Sequence, residues 1–336
     1  VIVLRLGMSL FVKWDQGVAV EYKGGRVIFD PQVSNPMYQR VFITHAHGDH
    51  AKGFTFSNHS KFSTRGTLDL TLALRGKPIN NLRLLSYKDA VGLNQFDVKA
   101  YDAGHILGSC IYEVTTPEGN LVYTGDFNFT EAFTMKPATA VNCDTLVIEA
   151  TFGSPSFIFP SRRTVAAQII AWVANSLRGG KVPVFQTDSV GNAQELISLF
   201  NTLTGIPVVT DPKVSRANRV YEAHGFSLSY VDANALEASE LLAAKQCVFI
   251  TPKNFNHFEN KVSEPNLAFV SGMALRLGGS MQPFLLSDHA DFPHLLAYVE
   301  AVKPKRVFTY HGAGVFNEIL AKTVEKKLGV KASPLF

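Results

Sequence analysis

Three histidines and an aspartate fall within six positions, His45-Ala46-His47-Gly48-Asp49-His50, immediately after the hydrophobic run Val41 to Thr44. The chain holds 10 histidines in 336 residues, so this local enrichment asks for a chemical reason. Metal ligation supplies one, because imidazole nitrogens and carboxylate oxygens are the donors that borderline-soft divalent cations take. Alternating His45 and His47 can turn toward one ion while Asp49 and His50, further round the loop, face a second. One short loop cannot fill two coordination shells. His105 in DAGHILGS, Asp126 in YTGDF and His311 in TYHG each end a strand-like run and can supply the remaining donors. Asp126, with two oxygens, is the donor suited to bridging both ions. Such a set leaves positions open for water and substrate, as catalytic sites do and closed structural zinc sites do not.

These donors need rigid elements to aim them. Up to about Ala150 the chain is strand-rich: Gly24-Gly25 between VAVEYK and RVIFD predicts a hairpin turn, Val41 to Thr44 a buried strand, and DVKAYDAG, CIYEVTT, NLVYTGDF and TLVIEATF further strands with polar residues at their C-terminal ends. From about Gly153 longer helices take over. TVAAQIIAWVANSLRGG closes on a glycine pair suited to a helix C-cap, SVGNAQELISLFNTL has helical spacing, and the strands VPVFQT, CVFITP and LAFVSG alternate with them. After Pro283 the first texture returns, with a helix through PHLLAYVEAV, the strand RVFTYHG and the helix NEILAKTVEKKL. The organisation expected is therefore a body in two parts, residues 1–152 and 284–336, interrupted by a small α/β insert over 153–283.

With these residues in view the chain resembles the metallo-β-lactamase superfamily, where Asp30 in VIFDP matches the acidic residue that braces the metal loop without binding the ion. More narrowly it resembles the beta-CASP nuclease branch: Glu149 in IEATFG, His289 in SDHADF and His311 in YHG match its three motifs, and the 153–283 insert its cap. The resemblance implies an α/β fold, an αββα sandwich of the metallo-β-lactamase kind with an inserted α/β cap. It implies two Zn2+ held by His45, His47, Asp49, His50, His105, Asp126 and His311, with Mn2+ as a substitute, and catalytic roles for His289, Glu149 and Asp30. His289 is expected to protonate the leaving oxygen, with Glu149 orienting it through the other ring nitrogen. The implied partner is single-stranded nucleic acid. A histidine at the third motif favours RNA, whereas short relatives described as DNA-ligase-associated exonucleases keep that histidine and act on DNA. Many relatives have Arg at the position of Asn192 and Trp at that of Met273, so the insert lacks a guanidinium and a ring that could grip a strand. A small-molecule hydrolase on the same scaffold is the remaining alternative.

Composition sets the outer bounds. At 46% hydrophobic and 18% charged residues the chain has ample material for a core, and its net charge of +4 tolerates an anionic partner without demanding one. Cys110, Cys143 and Cys247 are far apart and without a CxxC spacing, which suggests buried thiols in a reducing, cytoplasmic compartment. No apolar run is long enough to span a membrane, and the opening VIVLRLGMSLFVKW reads as a first strand, so no membrane partner is expected. His59, His224, His257 and His294 have no ligand-like neighbours and read as surface or core residues. Ser109, beside Gly104 and Gly108, is a candidate to offer a hydroxyl to substrate, and Arg162, Arg163, Arg216, Arg219, Lys253 and Lys261 could line a phosphate track.

Overall fold

A computed structural model describes residues 4–6, 10–253, 261–277 and 279–335. Its chain divides into two compact units: the first takes the chain up to Thr130, Pro137–Ile158 and everything from His289 on, and the second takes Glu131–Lys136 and Phe159–Asp288.

The first unit is built on two seven-stranded sheets. One runs in chain order through Leu4–Leu6, Leu10–Trp14, Val18–Tyr22, Gly25–Phe29, Arg40–Phe42, Ser60–Thr64 and Leu82–Leu85, antiparallel at its start and parallel from Gly25–Phe29 onward. The other is ordered Lys331–Pro334, Arg306–Tyr310, Thr145–Glu149, Gly119–Tyr123, Cys110–Thr116, Asp97–Asp102, Ala90–Gly92. Side-chain alternation explains the layering. Tyr112, Leu121 and Val147 point into the core shared with Val12, Val20, Phe29 and Phe42 of the first sheet. Their neighbours Ile111, Val122, Leu146 and Ile148 point the other way, onto Leu295, Tyr298 and Val299 of the helix Phe292–Val302 and Leu320 and Val324 of the helix Phe316–Leu328. Beyond the first sheet, Ala19, Ile28, Val41 and Ile43 are covered by Ala51 and Phe54 of the 3-10 turn Ala51–Thr55. The unit is thus an α/β sandwich of helical layers outside two sheets, the αββα arrangement the sequence implies.

The second unit has one six-stranded, wholly parallel sheet ordered Val231–Asp232, Val208–Thr210, Val248–Pro252, Val182–Thr187, Pro265–Val270, Gln282–Phe284. Its central strand is buried on both faces. Val182 and Val184 pack with Ala238 and Leu242 of the helix Leu236–Ala244, while Phe185 meets Trp172 of the helix Arg162–Arg178 and Phe200 of the helix Asn192–Leu203. Among the described residues no helix is long and apolar enough to cross a membrane.

Two local expectations shift. The hairpin after Val18–Tyr22 forms, but its turn is Lys23-Gly24, with φ of 45° and 84°, and Gly25 already pairs with Tyr22. Gly25 is small for another reason: a Cβ there would lie 2.8 Å from Gln95 Oε1 and 2.9 Å from Phe96 Cε1. The strand expected over Val41 to Thr44 ends at Phe42. Beyond it the chain is held by other bonds: Ile43 N donates to Phe62 O, Tyr112 OH to Ile43 O and Cys110 N to Thr44 O.

Candidate metal centre

All seven proposed ligands lie in the first unit, on loops at strand ends. His45, His47, His105 and Asp126 bring one donor atom each within 4.8 Å of one another, and Asp49, His50 and His311 form a second such group. Asp126 joins the two. Its Oδ2 lies 3.6 Å from His45 Nε2 and 3.3 Å from His50 Nε2, and its Oδ1 lies 3.8 Å from His311 Nε2. Within the groups, His105 Nε2 is 3.1 Å from His47 Nδ1, His50 Nε2 is 3.4 Å from His311 Nε2, and His311 Nε2 is 3.6 Å from Asp49 Oδ2. A tetrahedral ion with bonds of about 2.05 Å sets its ligand atoms about 3.3 Å apart, so these separations are those of coordination edges. His45 Nε2 and Asp126 Oδ1 are buried without any hydrogen-bond partner, which is costly unless a cation takes them. The residues present therefore fit a transition-metal site.

Asp30 is the brace. Its carboxylate accepts from Thr44 N at 2.8 Å, Thr44 Oγ1 at 2.6 Å, Tyr123 OH at 2.9 Å and His50 Nδ1 at 2.8 Å. Because the Thr44 hydroxyl gives its proton to Asp30, its oxygen is left to accept from His45 Nδ1, 3.0 Å away. One carboxylate thus fixes two imidazoles, His50 directly and His45 through Thr44, with each Nε2 turned toward Asp126. Three of these four bonds converge on Oδ2, so Asp30 is spent on the loop and its histidines. Thr44, Tyr123 and Gln32, whose amide reaches Asp49 O, were not singled out by sequence; only Thr44's place directly before His45 could have signalled a role.

Burial and charge act oppositely on neighbouring donors. Burial, helped by the nearby charges of His50 and His105, pushes His45 well below the usual histidine range and keeps it neutral. For His50 burial pulls the same way, but Asp126 and Asp30 outweigh it and raise the imidazole well above 6.5. Asp126 is pulled upward by burial, yet His50, His311 and His289 hold it well below the carboxylate range. Asp49 follows suit: burial opposes, and His50 and His311 still lower it.

Beside this cluster, Glu149 at the end of Thr145–Glu149 is fully buried. It accepts from Phe127 N at 2.8 Å and from His289 Nδ1 at 3.1 Å to either oxygen. His289 Nε2 is left facing the centre, 4.0 Å from Asp126 Oδ2. The helix that follows is capped by Asp291, which accepts from His294 N, so capping does not account for His289. His311 is held at φ 61°, a left-handed conformation that costs a non-glycine residue strain, and Gly312 next to it has no space for a side chain because Ala150 O would sit 2.7 Å from a Cβ.

Ser109 requires a correction. It is fully buried, and its hydroxyl oxygen accepts from His105 N and Ile106 N at 3.2 Å each, so it shapes the turn carrying His105 and offers nothing to a substrate. Gly108 does permit a close backbone approach, but by the chain itself: a Cβ there would lie 2.3 Å from Thr67 N, at the start of the helix Arg65–Arg75. Of the cations proposed for a phosphate track, Arg162 pairs with Glu195, Lys253 with Asp188, and Lys261 bonds Ala233 O and Asn234 Oδ1. His59 and His294 are engaged with Asn35 O and Asp291, and His224 caps the helix Pro212–Ala223. His257 lies outside the described residues.

Residues 276–333, which carry His289 and His311, match the family model described as "Zn-dependent metallo-hydrolase RNA specificity domain". The fold is that of the metallo-β-lactamase superfamily, and the donor cluster sits at the strand ends of its two sheets. Within it, the Glu149–His289 pair, His311 and the curated relatives make the chain similar to the beta-CASP nuclease branch. It is 29% identical to a "Probable DNA ligase" of Opitutus terrae, covering 88% of this chain and 30% of the relative. It is 27% identical to an "RNase J-like protein" of Methanocaldococcus jannaschii over 97% of this chain and 94% of the relative. It is 28% identical to "Transcription termination factor FttA" of Methanothermobacter thermautotrophicus over 59% and 37%. The chain thus spans about a third of the ligase and termination-factor relatives and nearly all of the RNase J-like one. A solved structure titled a protein of unknown function from Enterococcus faecalis V583 shares the fold, with a TM-score of 0.62 at 15% identity over 94% of this chain and 93% of that one.

Proposed function

We propose that this chain is a dinuclear zinc phosphodiesterase that hydrolyses single-stranded nucleic acid, RNA ahead of DNA. The observation that carries the reading is the shared Asp126, in reach of both donor groups and of His289 at once. His45, His47, His105 and Asp126 would hold one ion, and Asp49, His50 and His311 with Asp126 the other. Imidazole-rich donor sets favour zinc over magnesium, with manganese an acceptable substitute. Two such ions supply Lewis acidity toward a phosphoryl oxygen and activate water at neutral pH.

The chain's own residues do the rest. Asp30 and Thr44 hold the rings of His45 and His50 through Nδ1, so each Nε2 faces inward before anything binds. Glu149 receives the proton of His289 Nδ1, which leaves Nε2 directed at the centre and able, when protonated, to give its proton to the leaving oxygen. The surroundings of His289 support this role, since its carboxylate partner is buried and stabilises the imidazolium. Residues 153–283 act as the substrate-gripping cap in this reading. The "RNA specificity" description and the RNase J-like relative favour RNA. The relative named a probable DNA ligase favours the alternative, a single-stranded DNA exonuclease. Three buried free thiols suit a reducing cytoplasm.

The deciding experiment gives the metal-loaded protein matched end-labelled RNA and DNA single strands, a duplex and a generic phosphotriester, with elemental analysis of the same sample. Expected are about two zinc ions per chain and faster cleavage of the RNA strand. Equal or faster cleavage of DNA overturns the RNA preference, and turnover of the small ester alone overturns the nuclease reading. A ladder shrinking from one end marks an exonuclease, and discrete internal cuts an endonuclease.

A further inference from the structure

A second concentration of positive charge lies in the first unit, and none of the roles above uses it. Phe54, Phe56, Lys61, Arg75, Lys77 and Ile79 are among the residues lining a cavity of 310 Å³ that has three cations and no acidic residue in its wall. Lys61 is the unusual member. It sits on the strand Ser60–Thr64 and is only 1% exposed. Its ammonium donates to Asn80 O at 2.8 Å and, at the 3.4 Å limit, to His59 O. No carboxylate pairs with Lys61, Arg75 or Lys77 among the described residues. Burying an ammonium costs several kcal/mol unless an opposite charge or good hydrogen bonds offset it, and here two carbonyls occupy two of three N–H groups. Burial accordingly lowers the Lys61 pKa from its ordinary 10.5.

Apolar side chains line the same cavity. Phe54 is buried, Phe56 is half-buried with its ring 5.4 Å from that of His59, and Ile79 packs beside it. A cavity of this size lined by three cations and by aromatic rings suits a small organic anion whose charged group is joined to a planar body. The geometry points to a mononucleotide site, with the phosphate on Lys61, Arg75 and Lys77 and the base against the half-buried ring of Phe56. The choice of a nucleotide among planar anions rests on the nuclease reading; the demand for a planar anion does not.

Such a site would act on the metal loop. Arg75 donates to Gly48 O and Ala51 O, both at 3.3 Å, and so bonds the backbone between His47 and Asp49 and just beyond His50. An anion drawing on the same guanidinium alters that hold, so occupancy is expected to change kcat at unchanged KM for the single strand.

The test is calorimetric titration of the metal-loaded full chain with adenosine 5′-monophosphate, with inorganic phosphate and adenosine as comparators, repeated on Lys61→Met and Lys77→Ala. Expected is binding of the monophosphate at least about tenfold tighter than either comparator, weakened about tenfold or more by Lys61→Met and about threefold by Lys77→Ala, because each substitution removes one charge-assisted hydrogen bond to the phosphate. Lys77 is exposed, so its variant reports even if Lys61→Met fails to fold. Unchanged affinity in the Lys77→Ala protein and in folded Lys61→Met would assign the nucleotide to the metal centre and overturn the site. Phosphate binding as tightly as the monophosphate would overturn the planar-anion class. Lysine-dependent binding in a protein that cleaves no nucleic acid would uphold the site and remove only the nuclease reading.

Discussion

Two buried carboxylates, Asp126 in the first unit and Glu195 in the second, both meet desolvation and are shifted in opposite directions. Glu195 faces one strong cation: Arg162 Nη1 touches its Oε1 at 2.5 Å, while Nη2 donates to Ser287 O at 2.8 Å. Burial still wins there, and Glu195 lies above the ordinary carboxylate value. Asp126 is pushed the same way by burial but is held well below that value by His50, His311 and His289. The second unit balances one charge with one charge, and its ion pair is complete without a ligand. The first gathers histidine nitrogens and carboxylate oxygens at coordination spacing and leaves His45 Nε2 and Asp126 Oδ1 without hydrogen-bond partners. A compensated pair fixes a fold, whereas an excess of converging lone pairs is a fold made to bind something.

The comparison can be broken at four points, in order of expected effect. Asp126→Ala removes the ligand common to both donor groups, and metal content should fall from about two ions to one or none with cleavage lost below detection, read by elemental analysis and a single-strand assay. Full activity in this variant would remove Asp126 from the centre. His289→Ala should keep its metal and lose on the order of 10²- to 10⁴-fold in rate, while Glu149→Gln loses less and shifts the pH profile. Arg162→Met should do the reverse. Leaving Glu195 buried and unpaired is expected to cost about 3–5 kcal/mol in urea unfolding, with metal content unchanged.

The fourth point concerns pH and sharpens the contrast. Burial lowers His50, but Asp126 and Asp30 raise it overall, well above 6.5. A histidine raised on folding stabilises the metal-free protein fully below pH 6.5, and that contribution is lost as pH rises through the raised value. Metal uptake must displace the same proton, so apparent affinity should climb with pH up to that value and then level off. Stability of the metal-free protein and its metal affinity are thus expected to slope in opposite directions, checked by thermal melts and zinc titrations from below pH 6.5 upward through the raised His50 value. Asp30→Asn should weaken zinc about 10- to 100-fold and flatten both slopes. Parallel slopes would exclude His50 as the linked group.

Much of the candidate metal centre can be nominated from the sequence because its chemistry is local. His45 to His50 sit on one loop, and His105, Asp126 and His311 each end a hydrophobic strand, so residue type and periodicity suffice to nominate them. The layered fold is legible for the same reason, since Ile111/Tyr112 and Leu146/Val147 alternate between two cores. What stays hidden depends on distant pairing. Ser109 next to a nominated histidine reads as a free hydroxyl until its bonds to His105 N and Ile106 N are seen. Arg162 reads as a free cation until Glu195, 33 positions away, is found against it. The Tyr123 hydroxyl reaches Asp30 across 93 positions, and no local pattern encodes that. Glu131–Lys136 joins the second unit through contacts such as Ser198 Oγ to Phe133 O, which composition does not announce.

The helix Arg65–Arg75 carries none of the candidate ligands, yet it touches two of the loops that do. At its N-terminal end Gly66 and Gly108 meet backbone to backbone, and Thr64 Oγ1 and Thr67 Oγ1 both donate to Gly108 O, three residues past His105. At its other end Arg75 reaches the carbonyls of Gly48 and Ala51. Eleven residues at 1.5 Å each make a bar about 16 Å long. It serves as a spacer gauge: the separation of the His105 loop from the His47 loop is set by the length and tilt of a rigid rod. A bulky residue at Gly66 would displace one end of that rod, so the coordination geometry would be detuned with every donor atom chemically intact.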